Sequence, residues 1–268
     1  MARTLRPLSL SQLLDETFNI YRRNFLLFLG ISAIPNVALL LVQLGLTESG
    51  ITAKVTVSAA WLAAFIAWVA SLFVDATVTA ATTFAVSDIY MDVPTSMAAS
   101  FSRVAGKAFK VVYVSFITSL IVAIGFFLCI APGVYWGGKY GLAVPAAVLE
   151  PITGNQSLKR SGELTTDSVG RVILIFFLTS IFAGIMTFAL REGLTLLPPV
   201  TSHGSPVFSQ KNLHDAISAL GSILFDPITA IALTLAYYDQ RVRREAFDIE
   251  HMMSLLNAPE VASGASPS

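Results

Sequence analysis

The stretch Val172–Leu190, VILIFFLTSIFAGIMTFAL, decides the fold: nineteen consecutive residues without one charge. A helix crossing the hydrocarbon of a bilayer needs about 20 mostly apolar residues. It also satisfies its own backbone hydrogen bonds, as lipid demands. Working outward, similar stretches lie upstream at 25–46, 57–86, 111–130 and 134–149, and downstream at 213–238. The stretch 57–86 exceeds one crossing, which predicts tilt or extension beyond the membrane. The stretch 134–149 is short, glycine-rich and carries Lys139, so it either crosses or re-enters. The first stretch is expected to be interrupted at Pro35-Asn36, the reversal before 134–149 is expected at Ala131-Pro132-Gly133, a breaker cluster, and the last stretch is expected to break near Asp226-Pro227.

Composition agrees with a lipid solvent. The 268 residues are 54% hydrophobic and 13% charged, with mean hydropathy +0.71. A soluble domain carries about 25% charged residues, so this chain lacks the polar surface to coat a water-soluble globule. Formal net charge is zero; no global field draws in nucleic acid, and none is expected as a partner. The single cysteine, Cys129, sits in an apolar run and reads as a small apolar residue. No cleavable signal peptide is expected, because the apolar run from Phe25 exceeds the roughly 7–15 residues of a signal core.

Orientation follows from where lysine and arginine collect. One side of the alternation takes Arg3, Arg6, Arg22, Arg23, Arg103, Lys107, Lys110, Lys159, Arg160, Arg171, Arg241, Arg243 and Arg244, thirteen cations. The other takes three: Lys54, Arg191 and Lys211. That division predicts six spans with both termini cytoplasmic.

A threefold pattern runs along the chain. It predicts an all-α integral membrane bundle: about six transmembrane helices, as three hairpins each preceded by a cytoplasmic amphipathic helix. These form one membrane domain over 1–257. The amphipathic segments are 8–23, 95–109, 155–166 and a closing 240–257. In the first, Leu10, Leu13, Leu14, Phe18 and Tyr21 share one helical face and Gln12, Asp15, Glu16, Asn19 and Arg23 the other. Ser9 and Gln12 have capping-box spacing. Two dispositions stand open for these helices. They lie on the membrane surface, with Arg22, Arg23, Arg103, Lys107, Lys159, Arg160, Arg241, Arg243 and Arg244 toward anionic lipid head groups, or their apolar faces pack on the end of the bundle. Residues 191–212 read as an outer loop and 258–268 as a disordered tail.

Several segments carry a likeness together. They are Arg6-Pro7-Leu8-Ser9-Leu10, Leu13-Leu14-Asp15, Tyr21-Arg22-Arg23-Asn24-Phe25, Ala131-Pro132-Gly133, Leu149-Glu150, Leu158-Lys159-Arg160-Ser161, Pro227 and Tyr237-Tyr238-Asp239-Gln240-Arg241-Val242-Arg243-Arg244-Glu245. In this order they resemble the bacterial glycerophosphoryl diester phosphodiesterase membrane domain family, over nearly the whole chain. The resemblance implies a multi-pass protein of the bacterial cytoplasmic (inner) membrane. Some members of that family are fused to a soluble phosphodiesterase barrel and many stand alone without established activity; no barrel is expected here. Gly162 stands where the family pattern has a large residue.

Four ionisable residues fall in or beside the apolar stretches, where charge is costly and marks function by default: Asp75, Lys139, Glu150 and Asp226. Counted inward from Gly133, Lys139 lies roughly 9 Å deep, and Asp226 about 16 Å from the outer end of its span. A Lys139–Asp226 contact is expected, either as a substrate or proton site or as a structural ion pair. Asp226 reads alternatively as the cap of a helix restarting at Pro227. Asp75 among Thr77, Thr79, Thr82 and Thr83 reads as helix-packing glue, and Glu150 as a boundary partner of Lys159 or Arg160. His203, His214 and His251 are too scattered for a zinc site, no nucleophile–base motif occurs, and no catalytic residue or cofactor is expected. Three functions stand open, of which the third, an intramembrane enzyme acting on a phosphodiester or lipid, rests mainly on the family's name. The first is a non-enzymatic anchor, scaffold or lipid-interacting module with a membrane or cytoplasmic protein partner. The second is a small transporter or lipid-translocating protein using Lys139 and Asp226, since internal repeats and broken helices are common in such folds.

Overall fold

The structure, a computed structural model, describes residues 7–48, 57–195 and 210–245. Their regular structure is helical throughout: α1 (Leu10–Arg23), α2 (Phe25–Glu48), α3 (Val57–Tyr90), α4 (Met97–Ala105), α5 (Ala108–Leu128), α6 (Ile130–Tyr140), α7 (Ala143–Leu149), α8 (Gly154–Thr165), α9 (Val169–Thr195) and α10 (Gln210–Glu245). Five are long and apolar enough to cross a membrane, over Phe25–Gly45, Trp61–Tyr90, Ala108–Leu128, Val169–Gly193 and Asp215–Glu245. The protein is therefore a multi-pass helical membrane bundle. Its outer surface carries the matching belt of exposed apolar side chains, among them Leu26, Trp61, Phe65, Phe127 and Phe177. Such a belt over so much surface is what lipid contact requires.

α10 lies at the centre, packed on α9, α2, α1 and α3. Every residue from Ala230 to Gln240 is buried. Two expected breaks do not occur. Pro227 sits inside α10, which runs on unbroken, so Asp226 caps no restarting helix. Pro35 likewise lies within a continuous α2. Each proline removes one backbone hydrogen bond, and packing against neighbouring helices carries the helix past it. The reversal after α5 falls at Cys129, whose backbone is extended, rather than at Ala131-Pro132-Gly133. Pro132 occupies the first turn of α6, where its missing N–H would have had no intrahelical partner.

The stretch 134–149 folds as two helices, α6 and α7, joined at Gly141 and Leu142. The pair runs antiparallel along α5. Gly125 meets Gly133, Val114 packs with Ala143 and Ala147, and Lys107 donates to the Val148 carbonyl. A Cβ on Gly125 would stand 2.7 Å from the Gly133 Cα, so this approach needs glycine.

One local device occurs three times. Ser9, Ser96 and Thr153 cap α1, α4 and α8, the first and third as full capping boxes with Gln12 and Gln156. Four and eight residues after each cap the side chain is buried: Leu13 and Thr17, Ser100 and Val104, Ser157 and Ser161. α4 packs on α3, α8 on α7, and α1 on α10. The apolar faces of these short helices therefore rest on the bundle. The closing amphipathic segment begins as the last turns of α10, and its remainder from 246 lies outside the described residues, as do the tail and 196–209 of the outer loop. Residues 191–195 of that loop belong to α9 and 210–212 to α10.

Candidate functional site

α3 and α10 run parallel in a constant register. The Thr234 hydroxyl donates to the Thr83 hydroxyl at 3.2 Å, and the Ser87 and Tyr238 hydroxyls meet at 2.8 Å. Both pairs are 151 residues apart. The same offset sets Asp226 level with Asp75, and Asp239 level with Asp88. The two helices also share a sequence, D-x5-A-x-T-x-A-x2-D, beginning at Asp75 and at Asp226. Thr83 and Thr234 are thus the packing glue, and Asp75 faces elsewhere.

α9 and α10 run antiparallel. Ser168 donates to Gln240 at 2.7 Å, Phe182 and Phe225 meet edge to face at 6.4 Å, and Gly221 faces Thr187. A Cβ on Gly221 would come within 2.4 Å of the Thr187 methyl, so glycine lets the helices close.

Between α3, α9 and α10, with Asn36 of α2 at its wall, is a cavity of about 650 Å³. Asp75 and Asp226 both line it and both expose surface to it. Thr79, Ser218 and Arg191 add hydroxyls and one cation, while Ala183 and Gly184 keep the α9 wall thin. Ser222 donates a hydrogen bond to Asp226 from one turn back, and the Asn36 amide donates to the Ser32 carbonyl at 2.9 Å. By the α9–α10 register Arg191 is level with Ser218, about 12 Å along the axis from Asp226. Neither aspartate forms an ion pair among the described residues.

The opposite end of the bundle is a girdle of closed charge pairs. Arg103 forks onto Asp88, donating from Nη1 at 3.0 Å. That bond holds the Arg103 guanidinium above its ordinary pKa. Arg160 donates from Nε to both Glu150 oxygens at 3.0 Å and pairs through Nη2 with Glu245. Burial opposes the Arg160 charge, but the bonds to Glu150 and Glu245 outweigh it and keep its pKa raised. The Tyr237 hydroxyl donates to Glu150 at 2.6 Å. Asp239, with its side chain fully buried, accepts from Leu8 N at 2.8 Å and pairs with Arg243 at 3.0 Å and Arg171 at 3.2 Å. Arg244 pairs with Asp167. Each of the three short capped helices is thus tied to a carboxylate at the end of the element it packs on: α4 to Asp88, α8 to Glu150, and the segment entering α1 to Asp239.

The residues singled out in the sequence separate. Lys139 and Asp226 do not meet. Lys139 lines a different recess with Lys159 and Glu163, and its carbonyl accepts from Thr165 beside the α8–α9 turn. Gln240 also bonds at that turn, and Asp226 lies fourteen residues before Gln240, roughly 20 Å away at 1.5 Å per residue. Glu150 takes Arg160 as expected, while Lys159 reaches Glu163 at 3.8 Å on an exposed face. Of the cations assigned to head groups, Arg103, Lys107, Arg160, Arg241, Arg243 and Arg244 bond within the protein. Arg22 and Arg23 stay exposed. Among the described residues no group of His, Cys, Asp or Glu is set to hold a metal; His203 and His251 lie outside them. Sequence reasoning missed Asn36 and Arg191 at the cavity and Asp88 and Asp239 in the girdle. The repeated D-x5-A-x-T-x-A-x2-D is the signal that could have found both carboxylate pairs.

Fold and cavity together define a class, a multi-pass helical membrane protein with a cavity between its helices onto which two carboxylates face. No family model matches the chain, and no match is found among curated proteins or solved structures.

Proposed function

We propose that this protein is a small membrane carrier that binds a cationic solute, of the amine or guanidinium class, between Asp75 and Asp226. One observation carries the reading: two carboxylates level with each other on parallel helices line one cavity. Charge in a membrane-spanning helix is kept where it faces a cavity or a partner. These two have the cavity, and with Arg191 the lining keeps an excess of negative charge. A volume of about 650 Å³ falls within the roughly 300–1,000 Å³ of small-molecule sites. The carrier works in the bacterial inner membrane, with six passes and both termini cytoplasmic; α6 and α7 together are the sixth. The antiparallel run of that pair along α5, the thirteen-to-three division of cations and the resemblance to the glycerophosphoryl diester phosphodiesterase membrane domain support that topology. The reading assigns no catalytic residue and no cofactor.

A second reading, an anchor or lipid-interacting module, draws on Arg22 and Arg23, which remain free to meet head groups. Flux of labelled alkylammonium and guanidinium ions into proteoliposomes separates the two. Carriage predicts saturable uptake that falls at least about tenfold in Asp75→Asn and in Asp226→Asn. Uptake equal to that of protein-free liposomes ends the carrier reading and leaves the module.

A further inference from the structure

We infer that the recess between α6, α8 and the start of α9 binds the phosphate group of an anionic membrane lipid, with the Lys139 ammonium as its charge partner. This site is separate from the solute cavity and stands whether or not the carrier reading does.

The recess holds about 520 Å³. Its walls bring Tyr135, Lys139 and Tyr140 of α6 against Lys159, Gly162 and Glu163 of α8. Two cations meet one anion there. Glu163 is taken by Lys159 at 3.8 Å, and Lys139 pairs with no carboxylate among the described residues. Its Nζ stands 5.8 Å from the centroid of the Tyr140 ring. An ammonium left without a counter-charge in a recess this size is a site for an anion that the chain itself does not supply.

Gly162 shapes the place. A Cβ there would stand 3.3 Å from the Lys139 Cε, so any side chain larger than hydrogen presses on the lysine stem. The cost of glycine inside α8 is about 1 kcal/mol of helix propensity against alanine. The room it leaves is room for Lys139 to move and for a ligand oxygen to approach.

The surroundings select a lipid over a free ion. Tyr135, one turn before Lys139 on the same face of α6, lines the recess and is 48% exposed, and Ala131, also exposed, continues that strip a turn further. That strip gives acyl chains a track leading away from the cation. Two tyrosines beside a lysine also suit the membrane interface, where rings meet head groups. A phosphate ester with two apolar tails satisfies both features at once; inorganic phosphate satisfies only the first.

The test uses the full chain in nanodiscs of phosphatidylcholine carrying a small share of phosphatidylglycerol. Lipid retained after delipidation is counted by native mass spectrometry. Wild type is expected to keep phosphatidylglycerol in preference to phosphatidylcholine. Lys139→Gln is expected to lose that preference at least about tenfold. Gly162→Ala, which favours the helix, is expected to weaken retention severalfold with the fold intact. If Lys139→Gln does not fold, Gly162→Ala decides. Unchanged retention in a folded Lys139→Gln or, failing that, in Gly162→Ala overturns the assignment. So does full displacement of phosphatidylglycerol by millimolar inorganic phosphate, which would make the recess a soluble-anion site.

Discussion

α10 carries the same residue at its middle and near its C-terminal end under opposite conditions. Asp239 and, thirteen residues earlier, Asp226 each have a level counterpart on α3, Asp88 and Asp75. At the girdle the carboxylates are closed: Asp239 meets Leu8 N, Arg171 and Arg243, and Asp88 meets Arg103. About 20 Å away the other two face a cavity and pair with no cation among the described residues. A paired carboxylate holds elements together; one that faces a cavity unpaired does not, and the proposed solute gives it a role. On the proposed function, the contrast separates charge that ties elements together from charge that meets the solute, within one repeated sequence.

The sharpest way to break that contrast is to neutralise one member of each pair. Asp239→Asn takes the buried carboxylate from partly exposed Arg171 and exposed Arg243 and weakens the tie to Leu8. Solvent reaches both guanidiniums, so the cost falls below the roughly 3–5 kcal/mol of a fully buried pair, and thermal unfolding in detergent is expected to drop by several degrees. Asp226→Asn and Asp75→Asn are expected to leave unfolding unchanged or shift it slightly upward, while abolishing cation uptake. An Asp226→Asn protein that melts as early as Asp239→Asn would show that both positions are structural.

That distinction was only partly legible in the sequence. The apolar stretches were, because nineteen uncharged residues admit few folds. So was the repeated short helix, whose caps and buried positions follow local spacing. Partnerships across the bundle were not. Leu8 and Asp239 stand 231 residues apart, and cations counted as free for lipid turned out to have carboxylates brought in by packing. Counting inward leaves Lys139 about 7 Å shallower than Asp226, a gap that a lysine stem spans. That count could not show that its carbonyl is held at the α8–α9 turn by Ser161 and Thr165. The two proline breaks failed for a related reason: a proline's missing hydrogen bond is a local cost, and the buried faces of α2 and α10 outweigh it.

A middle-sized effect sharpens the girdle half of the comparison. Glu150 is shared by Arg160 and Tyr237, but Arg160 also has Glu245. Glu150→Gln is therefore expected to cost about 1–3 kcal/mol, less than Asp239→Asn, because a second carboxylate keeps the guanidinium paired. Tyr237→Phe should cost about 1 kcal/mol. If Glu150→Gln equals Asp239→Asn in unfolding, Glu245 does not act as a reserve partner.

Gly221 tests the cavity half. Valine there would drive its side chain into Thr187 and part α9 from α10 beside the cavity, with a cost of about 1–3 kcal/mol for overpacking. Solute binding should weaken as the wall moves, although Gly221→Val changes no charge. Thr187→Ala in the same chain removes the hydroxyl and methyl that clash, so it should restore part of both stability and binding. Binding that survives Gly221→Val untouched would detach the α9 wall from the site.

The smallest expected effect concerns the caps, and it asks whether the three short helices are equivalent. Thr153→Ala removes the side chain that accepts from Gln156 N at 3.4 Å and ends the reciprocal bond geometry of that box. Loss of an N-cap costs about 0.5–2 kcal/mol. Ser9→Ala should cost a similar amount at α1. Ser96→Ala removes a cap that bonds Ala99 N without a returning side chain, so it should fall at the low end of the range. The order is set by what each helix has besides its cap. α4 and α8 keep Arg103–Asp88 and Arg160–Glu150, whereas the seventh residue after Ser9 is Glu16, where the other two helices have arginine. α1 therefore depends on its cap and on the Leu8–Asp239 bond. Combined with Asp239→Asn, Ser9→Ala is expected to be more than additive, as residues serving one junction are. Strict additivity in that double variant would mean that α1 docks through its apolar face alone.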